Sequence, residues 1–233
     1  MWESLETAEV FTEAGVEVAR SLSRVVGEAA GREGDEHEGR DRKWARNAAV
    51  PFASGGAFLL RLQPLPFRLT FDPHIMARQE TSECSGWEMP DDGRQLLVVL
   101  VGMPGSGKTH WCRGNPRLAR ATLVSECQQL LGEGKSVVVD GRHPSATDRA
   151  PFIAAAASLG VPVTCILMRM SRHMCLHLNQ LNKVKREEFA AGREIELYER
   201  LFVAPSVAEG FTEVVGHPFI PRDLDERFFQ YLL

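Results

Sequence analysis

The chain has 233 residues, 44% hydrophobic and 25% charged, with a formal net charge of −4. That is globular composition with enough length for a real core, and its mild acidity excludes a global attraction for nucleic acid, leaving only a local basic patch for that role. The five cysteines (Cys84, Cys112, Cys127, Cys165, Cys175) never form a C-x-x-C pair, the N-terminus lacks the pattern of a signal peptide, and no apolar run approaches membrane-spanning length; free thiols in a soluble, intracellular protein are expected.

Residues 1–40 carry ten acidic against four basic residues and one helix-period apolar set, Phe11, Ala14, Val18, Leu22 and Val25. The run AAGREGDEHEGR after it reads as loop. Residues 41–95 hold many breakers (Pro51, Gly55, Gly56, Pro64, Pro66, Pro73, Pro90) around the apolar AFLLRL. They predict a small packing element and then a linker over 72–94.

From Gln95 the rhythm changes. LLVVLV (96–101) fits a strand buried on both faces of a parallel sheet. GMPGSGKT (102–109) follows, then a helix from Lys108. One helix is expected over 117–132, and SVVVD (136–140) is a second buried strand ending in an acid. SATDRAPFIAAAASLG (145–160) predicts a helix with Ser145 as its N-cap and Gly160 just past its end. VPVTCILM (161–168) is a third strand, Ser171 caps a helix through Ala190, a further helix covers 194–202, and FTEVV (211–215) is a last strand. Strands alternating with helices predict a three-layer α/β/α domain with a parallel sheet over 95–233. Trp111 and Phe152 are expected in its core.

GMPGSGKT matches G-x-x-x-x-G-K-[ST] at Gly102, Gly107, Lys108 and Thr109. Glycines there permit positive φ, so the backbone N–H groups of Met103, Pro104's successor Gly105, Ser106 and Gly107 can wrap a phosphate. Lys108 would reach the β- and γ-phosphates of ATP, and the Thr109 hydroxyl would bind Mg²⁺. The positive end of the following helix adds to the pull. Two roles fit Asp140, at the end of the second buried strand: a Mg²⁺-coordinating acid or the first residue of an Asp-Gly turn. Arg169, Arg172, Lys183, Lys185 and Arg186 lie in a stretch without an acid. They fit either a lid that stabilises a transferring phosphoryl group or a solvated basic face. His173 and His177 stand four apart without the Glu of H-E-x-x-H, a poor basis for zinc.

Several runs beyond the loop form a pattern. AVPFASGGAFLL (49–60), FDP (71–73), GMPGSGKT, GKSVVVDGRHPSATDRA (134–150), GVPVTCIL (160–167) and FVAPSVAEGF (202–211) occur in an order that resembles the bifunctional polynucleotide kinase 3′-phosphatases of DNA end repair. FVAPSVAEGF is far more specific than the phosphate loop. VVGEAAGR (25–32) and DRKWARNAAVPF (41–52) look like the closing part of the family's HAD-type phosphatase domain. The resemblance implies an incomplete HAD-like α/β segment over 1–71, a linker over 72–94 and a P-loop kinase domain over 95–233. It implies transfer of the ATP γ-phosphate to a 5′-hydroxyl of a nucleic acid, DNA before RNA, by a monomeric nuclear enzyme without membrane attachment. The phosphate-loop positions Gly102 through Thr109 carry over intact, and Asp140 matches the acid of the family's DNTNP run, here DGRHP. The lid pattern HNxR appears as HLNQ: His177 and Asn179 match, but Gln180 stands at the arginine position, with Arg142 or Arg186 as candidate replacements.

The chain departs from the family at two places. No D-x-D-G-T occurs, so 3′-phosphatase activity is not expected. Between Lys108 and Asp140 the family places a strand and then a general-base Asp; here a continuous helix over 117–132 is expected, and no Asp occurs in that interval. Glu126 is the first carboxylate after Lys108. These departures keep open an ATP-binding relic or scaffold, and a small-molecule P-loop kinase, beside the polynucleotide kinase.

Overall fold

In this computed structural model, residues 23–28, 39–64, 66–67, 69, 71–79, 87–185, 189–218 and 225–231 are described. Phe11, Ala14, Val18, Leu22, Cys84 and Arg186 lie outside them. The described chain divides into two compact units, the boundary falling after Ile75, with 225–231 grouped in the first. No described helix is long and apolar enough to cross a membrane.

In the first unit, β1 (Val25–Val26) pairs in parallel with β2 (Phe52–Ala53). Val25, the last of the apolar set read as helical, is therefore strand. Between them α1 (Arg40–Asn47) packs on the pair. Its Arg42 lies over the rings of Phe52 (4.4 Å) and Phe67 (3.5 Å), an attraction of charge to the ring face. Ser54 accepts from the Ala57 amide to start α2 (Gly55–Leu59). The C-terminal stretch docks on α1, where the Asn47 side chain makes a two-way bond with the backbone of Tyr231 (2.9 and 2.7 Å). The short helix α3 (Pro73–Gln79) runs across the division.

The second unit is built on β3 (Leu97–Val101), whose side chains are all buried. Leu97, Val99 and Val101 enter one apolar cluster, and Leu96, Val98 and Leu100 the other. Alternation of faces with no polar side to spare is what a central parallel strand requires. After β3 come α4 (Lys108–Gly114), β4 (Ala119–Ala121), α5 (Val124–Gly132), β5 (Val137–Val139), α6 (Ala146–Ser158), β6 (Val163–Arg169), α7 (Arg172–Val184), α8 (Gly192–Leu201) and β7 (Glu213–Pro218). The strands form a parallel sheet in the order β4-β5-β3-β6-β7. Cys127 and Leu131 of α5 with Phe152, Ile153 and Ala156 of α6 cover one face. Trp111 and Cys112 of α4 cover the other. The expected three-layer α/β/α arrangement is present.

Two expectations are corrected. The helix over 117–132 is broken into β4 and α5. Ala119, Arg120 and Ala121 are good helix formers, but the open edge of β5 recruits them: the Ala119 amide donates to the Ser136 carbonyl, and the Asp140 amide to the Ala121 carbonyl. A pairing edge outweighs an intrinsic preference of a few tenths of a kcal/mol per residue. The strand thought missing before Asp140 is thus there. Second, α7 ends at Val184 rather than Ala190. The backbone N–H and C=O of Ala190 are both taken by the Asn179 side chain (2.7 and 2.9 Å), which leaves neither for a helical bond.

One ion pair ties the loops at the carboxyl ends of the strands. Arg149 on α6 is 0% exposed. Its Nε and Nη2 donate to both oxygens of Glu209 (2.7 and 2.8 Å). Nη1 donates to the carbonyls of His143 (3.0 Å) and Pro144 (3.1 Å), and Nη2 also to that of Val203 (3.1 Å). Removing Arg149 leaves the mostly buried Glu209 charge without its partner and three carbonyls without their donor, so Arg149→Met is expected to cost roughly 3–5 kcal/mol. A urea titration followed by circular dichroism reads this as a large fall in midpoint; an unchanged midpoint would refute it.

Candidate functional site

β3 and β5 are neighbours, and the chain leaves β3 toward β4 on one side before returning to β6 on the other. The crevice at such a switch point, at the carboxyl ends of the strands, is where open α/β sheets bind ligands. It places the loop after β3 (102–107) beside Asp140 after β5.

The loop is built to hold its backbone close to something. Gly105 has φ +83°, and a Cβ there would meet the Cys175 carbonyl of α7 at 2.2 Å. Only glycine lets the loop lie against that helix in this conformation. Gly107, at φ 86°, caps α4 in the left-handed region with no atom near its absent Cβ, leaving the amino end of α4 open to an anion. Ser106 (1% exposed) donates its amide to the Met103 carbonyl (3.1 Å), closing the turn.

Lys108 is also buried. Its Nζ donates to the carbonyls of Gly102 (2.7 Å) and Met103 (2.9 Å) and to Ser106 Oγ (3.4 Å). Burial lowers its pKa to about 8, with Asp140 the largest opposing influence. An ammonium folded onto neutral carbonyls, and short of countercharge, is a cation prepared for a phosphate.

Asp140 (9% exposed) is the meeting point. Its Oδ2 accepts from Thr109 Oγ1 (3.1 Å) and from Arg120 Nη2 (2.8 Å). The Cys112 thiol is pushed up to about 12, first by burial and then by Asp140 beside it, and stays protonated. A hydroxyl and a carboxylate oxygen facing each other are the hard ligands that Mg²⁺ takes together with substrate phosphates and waters. Thr109 and Asp140 therefore fit such an ion. Among the described residues no group of three or more His, Cys, Asp or Glu is placed to hold a metal, so the phosphates would have to supply the rest of the coordination shell.

The DGRHP loop carries strain. His143 has φ 42°, uncommon for a side chain with Cβ. Its Nε2 is buried without a hydrogen-bond partner, its ring packs edge-on against Phe152, and burial first of all lowers its pKa to about 4. It is neutral at physiological pH. Arg142 is engaged with Glu194 (3.0 Å) across the exposed surface.

The lid candidates fall elsewhere than the pattern suggested. His177 and Asn179 are 5% and 6% exposed on the inner face of α7. Asn179 is spent on Ala190, and its Cβ stands 3.2 Å from where a Gly105 Cβ would be. Asn179 supports the phosphate loop from behind, and His177 is buried on the same helix. Arg172 is paired with Glu199 (2.6 Å), and Arg169 lies against Gly216. Arg186 lies outside the described residues. Arg120 is what sequence reasoning missed: inside a supposed helix it reads as a surface cation, and only β4 brings it to Asp140. The Arg149–Glu209 pair was also unread, although Glu209 lies in the most specific run of the chain.

No protein-family model matches the chain. Over 214 residues it is 28% identical to the "Bifunctional polynucleotide phosphatase/kinase" of Schizosaccharomyces pombe, covering 85% of this chain and 52% of that protein. Over 208 residues it is 22% identical to the "Putative bifunctional polynucleotide phosphatase/kinase" of Acanthamoeba polyphaga mimivirus, covering 78% and 48%. Among solved structures, Chaetomium thermophilum Kti12 in complex with ADP-AlF3 aligns over 58% of this chain and 94% of that one, at 13% identity and a TM-score of 0.42. The chain spans about half the length of the two relatives. These relatives agree with the runs that first suggested the resemblance: over most of its length the chain is similar to the bifunctional polynucleotide phosphatase/kinases.

Proposed function

We propose that the chain is an ATP-dependent polynucleotide 5′-hydroxyl kinase acting in DNA strand-break repair in the nucleus. The observation that carries this reading is the convergence of Thr109 Oγ1 and Asp140 Oδ2, 3.1 Å apart, beside a loop whose lysine has only carbonyls and a hydroxyl for company. When bound, Mg-ATP supplies the γ-phosphoryl group and the electrophilic phosphorus. The backbone N–H groups of Gly105 and Gly107, with that of Met103, would hold the phosphates in place. Lys108 exchanges the carbonyls of Gly102 and Met103 for phosphate oxygens and stabilises the charge spread over them. Thr109 and Asp140 would hold the Mg²⁺ ion, which would supply neutralising charge to the phosphates. DNA is favoured over RNA as acceptor by the family relationship. With no D-x-D-G-T in the chain, 3′-phosphatase activity is not part of the proposal.

The acceptor side is the weak side. β4 runs directly into α5 and supplies the wall, but no Asp follows it. Glu126, the nearest carboxylate in sequence, accepts from the amides of Thr122 (2.9 Å) and Leu123 (3.2 Å) and from the Thr122 hydroxyl (3.2 Å). Those bonds, the Thr122 amide foremost, hold it below the usual carboxylate range, a poor base engaged in capping α5. General-base help is worth about 10²–10⁴-fold, while positioning and electrostatics carry most of phosphoryl transfer. A slow kinase is the expected result. The same absence favours the second reading, an ATP-binding relic that holds nucleotide without transfer.

Transfer of labelled γ-phosphate to a 5′-hydroxyl oligonucleotide distinguishes the two. The wild type is expected to label slowly, and Lys108→Ala to label about 100-fold less or worse. ATP binding with no Lys108-dependent label would establish the relic. Nucleotide affinity should also depend on pH. The ligand-free Lys108 has a pKa of about 8, and phosphate raises it, so the complex binds the extra proton. Affinity is then full below pH 8 and falls above it, roughly tenfold between pH 7 and pH 9 for one proton. Calorimetric titration should show that slope in the wild type and not in Lys108→Arg, whose guanidinium does not titrate there.

A further inference from the structure

We infer that Arg120, on the edge strand β4, is the cation in this chain that reads the γ-phosphate and stabilises its transfer. The inference rests on the proposed function only in requiring that 102–109 bind a nucleoside triphosphate.

The geometry begins at Asp140. One oxygen, Oδ2, serves both Thr109 and Arg120, so the guanidinium stands one carboxylate oxygen away from the hydroxyl that would ligate Mg²⁺. The Asp140 side chain is 5% exposed and that of Arg120 is 49% exposed. The acid is fixed in the protein, and the cation reaches it from the solvent side. As a structural pair this adds little, since exposed ion pairs are worth at most about 1 kcal/mol. What the pair does achieve is to hold a flexible guanidinium at the mouth of the phosphate loop.

A divalent cation on Thr109 and Asp140 would compete with Arg120 for that oxygen. A guanidinium released from it would be free to reach the terminal phosphate, where its planar fork could match two phosphate oxygens at once. Arginines supplied from within the same chain play this part in other P-loop enzymes. Two of the other arginine candidates are engaged elsewhere. Arg142 holds Glu194, Arg172 holds Glu199, and Arg169 lies along Gly216. The position that the family pattern gives to an arginine on α7 is Gln180. β4 thus returns to the site a charge that α7 no longer provides.

A cation that reads the γ-phosphate discriminates ATP from ADP, and binding alone can measure this. ATP and ADP affinities, each with Mg²⁺, are measured by calorimetry for the wild type, Arg120→Gln and Arg120→Lys, with circular dichroism to establish that each variant is folded. Arg120→Gln is expected to weaken ATP about tenfold or more and to leave ADP within about twofold, with Arg120→Lys in between. Equal losses for both nucleotides would mean that Arg120 merely supports Asp140, and no loss for either would mean a surface cation; each overturns the inference and leaves the proposed function standing. Failure of the wild type to bind either nucleotide would overturn both.

Discussion

A guanidinium with no access to water must satisfy its N–H groups within the protein, and Arg149 does so across three segments. It joins the turn after β5, the strand-like stretch after α8 and the short helical turn containing Glu209. The bidentate bond to Glu209 offsets the cost of burying the charge, while the three carbonyls fix loops that sheet pairing does not reach. Because His143 and Pro144 are among them, the backbone just after Asp140 is set by this pair. The φ of 42° at His143 is a strain that the surroundings must maintain, and Arg149 pulling on its carbonyl is one reason it persists. The approach to Asp140 is thus decided on α6, well away from the phosphate loop in sequence.

The site stores its cost in unmatched groups. Lys108 is buried on carbonyls, the Nε2 of His143 has no partner, and the Cys112 thiol is kept protonated beside a carboxylate. Each would be improved by exposure or by a counter-ion. The linkage is consistent in sign: a depressed lysine pKa means that the folded chain is penalised for keeping the ammonium below pH 8, and a phosphate removes that penalty.

What was legible in the sequence follows from what repeats locally. Continuous apolar runs gave β3, β5 and β6, because a strand buried on both faces is mostly apolar, the one hydroxyl in β6, that of Thr164, being satisfied by Glu213. Ser145 and Ser171 marked helix starts through a bond made within one turn. The phosphate loop was read from its glycines, and the loop's support by α7 explains why Gly105 is one of them. β4 was not legible, because Ala-Arg-Ala carries no strand signal and its reason to extend lies on β5. Arg120 was lost with it. His177 and Asn179 were read for their chemistry, yet both are buried and Asn179 is spent on Ala190: a sequence gives a residue's type and spacing, not which side of a helix faces the protein.

The recovery of β4 alters the balance between the two readings of the chain. Had the strand been missing, the acceptor would have had neither wall nor base, and transfer would have lost its positioning as well as its proton acceptor. With β4 paired to β5, the proposed kinase keeps a strand to form that wall and lacks only the base. A 5′-hydroxyl can lose its proton late to solvent in a loose transition state, where bond formation to the nucleophile lags bond breaking; a missing charge on the phosphoryl group has no such substitute. The residue that decides between a slow kinase and a relic is therefore less the absent Asp than the cation facing the γ-phosphate. On the inference drawn above, Arg120 of the edge strand would provide one.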